Sequence, residues 1–485
     1  MTDGGPRPQA GKTYAQIVAG EFLKNRLSVA ASAVIAALFA IAVLAPFLAN
    51  GRPYRIVIAG TVHHPIRGPL HFDPAGEAAY PLFAALTRNE ILVLLAAVCF
   101  VSALAAVRVV AAGRPVDEIG GMRRAIWAGA AGVFLAGAAA VGAFHQDIND
   151  PPGWYRELLE RGQARNAIFA PVPFDYKATD PARSYRPPIP EARYAVIREV
   201  RRSLARGGLP EPVITRLGPI QDERFADADA LRARLAEVLT PEQLAAHGET
   251  IVEASDTAGH LLGTDKSGGD VLARLIYGSR TSLAVGFVAV GISVLIGVIV
   301  GSLMGYLGGF ADIALMRIME IVMSIPTLIL IITIVAFFPR NLFTIMAVIG
   351  VTTWPTVARF VRAEFLRLRK QDFVSAARAL GASDAKIMFR HMLPNGIAPV
   401  LVDATFGVGA AIFVEATLSF LGLGPGPDNP SWGAMLSESF SDSGLFLWWM
   451  SMLPGAAIFV TVLCYNLVGE GLRDAIDPRL RKSAS

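Results

Sequence analysis

The chain has 485 residues, of which 53% are hydrophobic and only 17% are Asp, Glu, Lys or Arg, against roughly 25% in soluble domains. A mean hydropathy of +0.47 and uncharged runs near the ~20 residues that cross a bilayer core make it an all-α, polytopic membrane protein. Its net charge of +4 fits Lys and Arg in cytoplasmic loops better than a nucleic-acid surface. Its two cysteines, Cys99 and Cys464, lie in apolar runs and speak against a disulfide framework.

About eight spans are expected. Residues 1–26 form a polar, cytoplasmic N-terminus with Lys12, Lys24 and Arg26. The first span, 27–49, exceeds a signal-peptide apolar region and lacks a small-residue cleavage site, so it reads as retained. An outer loop follows at 50–89. Two further spans, 90–112 and 124–144, fill 90–144. Residues 145–262 are an extracytoplasmic insert. A core at 263–470 contains spans at 281–305, 317–338, 341–361, 396–418 and 446–469, and 471–485 is a tail. The basic residues flanking 27–49, joining spans two and three, filling the loop after span six and ending the chain fall on one side. The positive-inside rule makes that side, with both termini, cytoplasmic.

The insert opens Pro-rich and then turns helical. Tyr194, Ile197, Val200 and Leu204 recur at helical spacing in 191–206, before Gly207 and Gly208. Leu231, Leu235, Val238 and Leu239 do the same in 226–239. Thr240 then reads as an N-cap, with Pro241 in the first turn and Gln243 placed to close a capping box. Either a small outer domain or a collar on the membrane would fit.

Little in the chain points to catalysis. There is no phosphate-binding G-x-x-x-x-G-K-[ST] loop, no G-x-S-x-G elbow and no H-E-x-x-H; GTDKSGGD at 263–270 has the wrong spacing. His63, His64, His71 and Asp73 could in principle form a metal or enzyme site in the outer loop, but Pro and Gly separate them and no periodicity converges them. An intramembrane or cell-envelope enzyme using these residues is one rival reading. A structural or sensory subunit whose insert binds an envelope partner is another.

The loop after span six, 362–395, is the distinctive polar segment. ARFVRAEFLRLRKQDFVSAARALG reads as a helix leaving the membrane, with Phe365, Leu368, Phe373, Ala376, Ala377 and Leu380 along one side. Gly381 ends it. Ser383 then caps a shorter helix reaching about Met392, with Asp384 in its first turn, and Pro394 marks the turn into span seven. A helix, glycine turn and helix lined with small residues read as something to be gripped by another surface.

The segment SAARALGAS…FRHMLPN resembles the EAA loop of the membrane subunits of binding-protein-dependent ABC importers, in particular the C-type subunit of the dipeptide/oligopeptide branch. HLLGTDKSGGDVLARLIYGSRTSL (260–283), GYLGGFADIALMRIMEIVMSIPTLIL (305–330), EATLSFLGLGPGPDNPSWGAML (415–436) and GEGLRDAIDPRLR (469–481) resemble the same branch, in order. Three positions depart from it: Ser375 replaces the glutamate that names the motif, Phe373 a frequent tyrosine, and Gly269 a common arginine.

The resemblance implies a type I importer permease of the bacterial inner membrane, carrying no chemistry of its own. Its cargo would be peptides or the nickel, opine or glycoside ligands of this branch. ATP and Mg would be bound by partners: two cytoplasmic ABC ATPase subunits. A second, B-type permease and an extracytoplasmic binding protein would complete the complex in the lipid bilayer. Ser375, Ala376, Ala377, Gly381, Ala382, Ser383, Leu393 and Pro394 would couple to the ATPase. Spans two and three and the insert are additions to the ordinary subunit.

In the spans, Asp403 is an intramembrane carboxylate and so a functional candidate. Two readings stay open: it lines the pathway and meets a peptide amine, or it hydrogen-bonds the partner permease. Glu415 is placed near the outer surface, as an interfacial or loop-organising residue. Asp312, Arg317 and Glu320 are expected to pair around a turn, and Pro326 and Pro355 to kink their spans.

Overall fold

The computed structural model describes residues 14–58, 60–63, 71–72, 78–79, 88–111, 116–144, 155, 158, 163–179, 188, 194–195, 204, 209–220, 223–225, 228–255, 260–426, 429–439 and 446–476. A short helix α1 (Tyr14–Phe22) precedes α2 (Arg26–Leu48), whose Ala, Leu, Ile and Val occupy every face, as a span in lipid requires. Strands β1 (Arg55–Ile58) and β2 (Thr61–His63) form a hairpin, and β3 (His71–Phe72) pairs with β4 (Ala78–Ala79). Helices α3 (Arg88–Ala111) and α4 (Val116–Phe144) follow, and β5 (Ala164–Ile168) adds to the first hairpin in the order β2-β1-β5, all antiparallel.

The insert continues with β6 (Tyr194–Ala195), α5 (Glu211–Arg216), β7 (Arg224–Phe225), α6 (Ala228–Val238) and α7 (Pro241–Ser255). The core then runs α8 (Val271–Leu307), α9 (Gly309–Ser324), α10 (Thr327–Phe337), α11 (Leu342–Leu368), α12 (Asp372–Ala379), α13 (Asp384–Lys386), a π-helix (Ile387–Met392), α14 (Leu393–Gly396), α15 (Ala398–Phe420), α16 (Trp432–Ser437) and α17 (Trp448–Ile476). Among the described residues seven helices are long and apolar enough to cross a membrane, or eight with α9 and α10 counted as one broken span.

That broken span corrects an expectation. A single segment was expected at 317–338; instead α9 and α10 meet at 85°. Pro326 forces Ile325 into an extended conformation (ψ 130°) and the helix cannot continue through it. α11, by contrast, runs through Pro355 without interruption.

Residues 1–39, 281–437 and 452–485 form one compact unit, and 40–280 with 438–451 form another. In the first, α8 and α11 pack through glycines spaced four apart. A Cβ added at Gly297 would lie 2.5 Å from the Val357 Cβ, at Gly301 2.5 Å from the Ala358 carbonyl oxygen, and at Gly305 2.5 Å from the Phe365 Cβ. These are backbone-level contacts that only glycine permits, the close approach by which membrane helices gain packing energy. Ser28 of α2 donates to the Leu467 carbonyl of α17 at 2.9 Å.

In the second unit the insert has its own core of Leu204, Leu217, Ile220, Leu231, Leu235, Leu239, Ile251 and their neighbours. The capping box is present: the Thr240 N–H donates to Gln243 Oε1 (3.2 Å) and the Gln243 N–H to Thr240 Oγ1 (3.3 Å). Of the helix expected across 191–206, Leu204 is helical but the start is not. Tyr194 and Ala195 form a strand paired with Arg224 and Phe225. Tyrosine favours a strand once a partner is at hand, so pairing overrides the helical spacing at 194–195.

Residues 170–178 of the insert are pinned down. Val172 bridges in parallel to Ala49, and Phe174 stacks on His260 at 4.0 Å. Tyr176 stacks on Tyr277 at 3.9 Å, and the Tyr277 hydroxyl donates to Glu90 at 2.9 Å. Gly269, where the resembled family has arginine, sits in this packing: a Cβ there would come 2.6 Å from Asp265 Oδ2 and 3.4 Å from the Ala178 carbonyl.

Two arginines brace the insert. Arg232 donates to Asp229 (2.9 Å) and bidentately to Glu249 (3.0 and 3.0 Å), and Arg234 bidentately to Glu223 (3.0 and 3.0 Å). These hydrogen bonds hold the Glu249 and Glu223 carboxyls below their ordinary value. A carboxyl depressed by folding stabilises above its unfolded value, ~4.3, and loses that contribution as pH falls through the folded one. Limited proteolysis of the insert in the intact chain should therefore accelerate between pH 5 and 3 (about the carboxylate range). Arg232→Gln should make that acceleration smaller.

Candidate functional site

The loop leaves α11 at Leu368 and does not continue as one helix. Arg369 caps α11, and α12 restarts only at Asp372. This break changes which residues share a face. Phe365 and Leu368 are buried with Val374, Ile387, Met388 and Met392, whereas Phe373, Ala376 and Leu380 point outward. The single apolar side expected from Phe365 to Leu380 is thus two sides, because the turn at 369–371 shifts the helical phase. Leu380 is 88% exposed. Positions 373, 376 and 380 follow the i, i+3, i+7 spacing of one helix face.

α12 ends in a Schellman motif. Gly381 takes φ +77°, its N–H donates to the Arg378 carbonyl (3.0 Å), and the Ala382 N–H reaches back to the Ala377 carbonyl (3.1 Å). Ala377 and Ala382 are half-buried against the same core, Leu393 likewise; Ser375, Ala376, Gly381, Ser383 and Pro394 are exposed. Ser383 occupies the cap position of α13, but its side chain makes no cap hydrogen bond. The short helix expected from Ser383 to Met392 is instead three α residues and a π-helix running into Leu393-Pro394. Pro394 has no N–H to give to a preceding carbonyl. Widening to π geometry is one way a helix accommodates such a defect. Asn395 Nδ2 caps the His391 carbonyl at 2.7 Å.

Tyr306, at the end of α8, joins both halves of the loop. Its hydroxyl donates to Asp384 Oδ1 (2.5 Å) and accepts from Arg378 Nη2 (3.2 Å), while its carbonyl accepts from Arg369 (3.0 Å). Asp312 of α9 takes a bidentate pair from Arg362 (2.6 and 2.7 Å), so it does not pair with Arg317; Arg317 pairs with Glu320 at 2.5 Å.

Asp403 projects from α15 into a cavity of about 260 Å³ among α8, α11 and α15, whose lining includes Ser293, Thr353 and Thr356. Glu415 is fully buried within the protein, five residues before the end of α15. It accepts from Ser419 (2.7 Å), lies 3.4 Å from Ser282 Oγ and organises the segment leading to Trp432. His63 and His71 lie on β2 and β3, while His64 and Asp73 fall outside the described residues. Among the described residues no group of three His, Cys, Asp or Glu could hold a metal.

The glycine stripe, Tyr306 and the cavity hydroxyls were not singled out from sequence. The first had a readable signal, G-x-x-x-G-x-x-x-G at 297–305 in an apolar run. The other two depend on contacts between distant segments.

The described residues thus form a core of membrane-length helices with an exposed helix–glycine–helix loop between α11 and α15. The profile described as binding-protein-dependent transport system inner membrane component matches residues 297–482, and that of the N-terminal TM domain of oligopeptide transport permease C matches 13–63. The dipeptide transport system permease protein DppC of Alkalihalophilus pseudofirmus is 39% identical over 227 residues, which is 46% of this chain and 74% of that protein. The oligopeptide transport system permease protein OppC of Bacillus subtilis is 40% identical over 223 residues (46% and 73%), and the glutathione transport system permease protein GsiD of Escherichia coli 40% over 222 (46% and 73%). The chain belongs to the binding-protein-dependent ABC importer permease family.

Proposed function

We propose that this chain is the C-type permease of an ATP-driven importer for peptides, moved through residues 375–394. The observation that carries the coupling reading is the exposed apolar face of Phe373, Ala376 and Leu380, held rigid by the Schellman turn at Gly381. Contiguous apolar patches of this kind, more than any single exposed side chain, mark sites of interaction. The partner is a cytoplasmic ABC ATPase: ATP with Mg closes a pair of such subunits, the loop moves with them, and the spans switch between two states. A B-type permease forms the other half of the path, and an extracytoplasmic protein delivers cargo. Both termini are cytoplasmic, the membrane is the bacterial inner membrane, and 145–262 lies outside.

The peptide assignment rests on what the relatives are named for: dipeptide, oligopeptide and glutathione transport. They give no support to the reading of His63, His64, His71 and Asp73 as an enzyme site. Ser375, in place of the motif glutamate, leaves docking to shape and apolar contact.

Leu380→Glu tests the coupling reading. The side chain faces solvent, so folding and membrane insertion should be unchanged. A charge buried without a partner in the docked complex should weaken copurification of the ATPase roughly tenfold or more (1.4 kcal/mol per decade). Undiminished ATPase recovery and transport would refute it.

A further inference from the structure

We propose that the Asp403 cavity is a transient binding site for a primary ammonium group, the free N-terminus of a peptide in transit; this rests on the importer reading above.

Three helix faces build the site. Asp403, Gly407, Ala410, Ala411 and Val414 line it from α15, Val290 and Ser293 from α8, and Ile349, Thr353, Thr356 and Val357 from α11. The spacings are i, i+4, i+7, i+8 on α11 and α15, so each helix offers one continuous stripe. Thr353 and Thr356 lie 11 and 14 residues into α11, roughly 17–21 Å along it, and Ser293 is 13 residues, about 20 Å, before Tyr306 at the loop end of α8. The cavity therefore lies well inside α8 and α11, with Asp403 five residues, about 8 Å, into α15.

The lining is selective in its chemistry. Asp403 is half-buried, and among the described residues neither a cation nor a hydrogen-bond donor meets its carboxylate. Other acidic groups among the described residues of the core are paired, Asp312 with Arg362, Glu364 with Arg367, Asp384 with Tyr306 and Glu415 with Ser419. The Thr353 hydroxyl has spent its proton on the Ile349 carbonyl at 2.8 Å, so only its oxygen lone pairs face outward. A carboxyl group beside hydroxyl oxygens offers a place for a group that is cationic and carries several N–H donors. A primary ammonium has three donors and one positive charge and matches it; a carboxylate or phosphate would be repelled. The volume, about 260 Å³, admits the end of a peptide chain and not its bulk. A carboxylate inside a membrane is costly and is retained where an ion or substrate passes. A single such contact, half open, binds weakly enough to release the cargo.

The test uses the assembled complex of this chain with its partner permease, ATPases and binding protein, with Cys99 and Cys464 replaced by alanine. Thr356→Cys then reports on the cavity by its rate of reaction with a cationic ethylammonium methanethiosulfonate and an anionic ethylsulfonate analogue. The cationic reagent is expected to react about tenfold or more faster, the factor one charge-assisted contact is worth. Asp403→Asn should abolish the preference, and Asp403→Glu should restore most of it. In uptake assays with dialanine and N-acetyl-dialanine, Asp403→Asn should raise the KM for the free amine by a similar factor. It should change the KM for the acetylated peptide less than that for the free amine. Equal reagent rates with Asp403 present would overturn the site. A reagent preference with no change in the discrimination between the two peptides would overturn the ammonium assignment. If the unaltered complex takes up neither peptide, the peptide-importer reading fails, and with it the assignment to a peptide N-terminus; the reagent rates then still decide whether the cavity is a cation site.

Discussion

Gly301→Leu is expected to prevent α8 and α11 from closing on each other. A Cβ at 301 would sit 2.5 Å from the Ala358 carbonyl oxygen and 2.7 Å from the Val361 Cβ. Both are backbone or backbone-proximal atoms of an ordered helix, so neither can swing aside. Even Gly301→Ala forces the helices apart. Overpacking of this kind costs ~1–3 kcal/mol for small insertions, and a leucine adds three more carbons to the same collision. The alanine variant should unfold several degrees lower in a thermal scan of the detergent-solubilised chain (about 1 kcal/mol shifts a melting point by roughly 2–4 °C in a domain this large). The leucine variant should not give a folded, monodisperse species. Gly291, on the same helix with nothing within 4 Å of a Cβ added there, is the internal control: Gly291→Leu should leave the midpoint within a degree or so, since exposed substitutions are usually within ±0.5 kcal/mol. Equal behaviour at 291 and 301 would show that the glycine contact is not what holds the pair together.

The same contact shows what a single sequence yields and what it withholds. Most helices could be read from uninterrupted apolar runs, because in lipid every backbone polar group must be satisfied within the segment. The capping box at Thr240 and Gln243 and the αL glycine at 381 were legible for a similar reason: each is local, and the residue types dictate the geometry within four positions. The failures are non-local. The turn at 369–371 carries no Pro or Gly, so nothing announced the phase break that buries Phe365 while exposing Leu380. Tyr306 looks like any aromatic at a helix end until Asp384 and Arg378, 78 and 72 residues away, are brought to its hydroxyl. Asp403 could be flagged as an anomaly in a span, but its hydroxyl companions come from two other helices. Tyr194 was misjudged because its strand partner, Phe225, lies across an intervening helix in sequence.

Gly381→Val should uncouple the loop without unfolding the core. With φ at +77°, a non-glycine residue pays roughly 1–2 kcal/mol, and a β-branched one more. The expected response is for residue 381 to relax toward the right-handed region. The Ala382 N–H then loses the Ala377 carbonyl, Ala382 leaves its seat, and α13 departs from the Tyr306 hydroxyl that anchors Asp384. Phe373, Ala376 and Leu380 stay on the surface, but their rigid link to α8 is gone. Membrane insertion should be normal, because nothing lies within 4 Å of the added Cβ. Transport should fall to background and the ATPase should copurify poorly. Gly381→Asn should retain most of both, since asparagine visits the left-handed region readily. This variant and Leu380→Glu separate two properties of the loop. One alters the backbone and keeps the exposed side chains; the other keeps the backbone and spoils the contact. If binding survives Gly381→Val while transport is lost, the turn transmits motion more than it creates the docking surface. Normal uptake in Gly381→Val would mean that the loop's geometry does not carry the coupling at all.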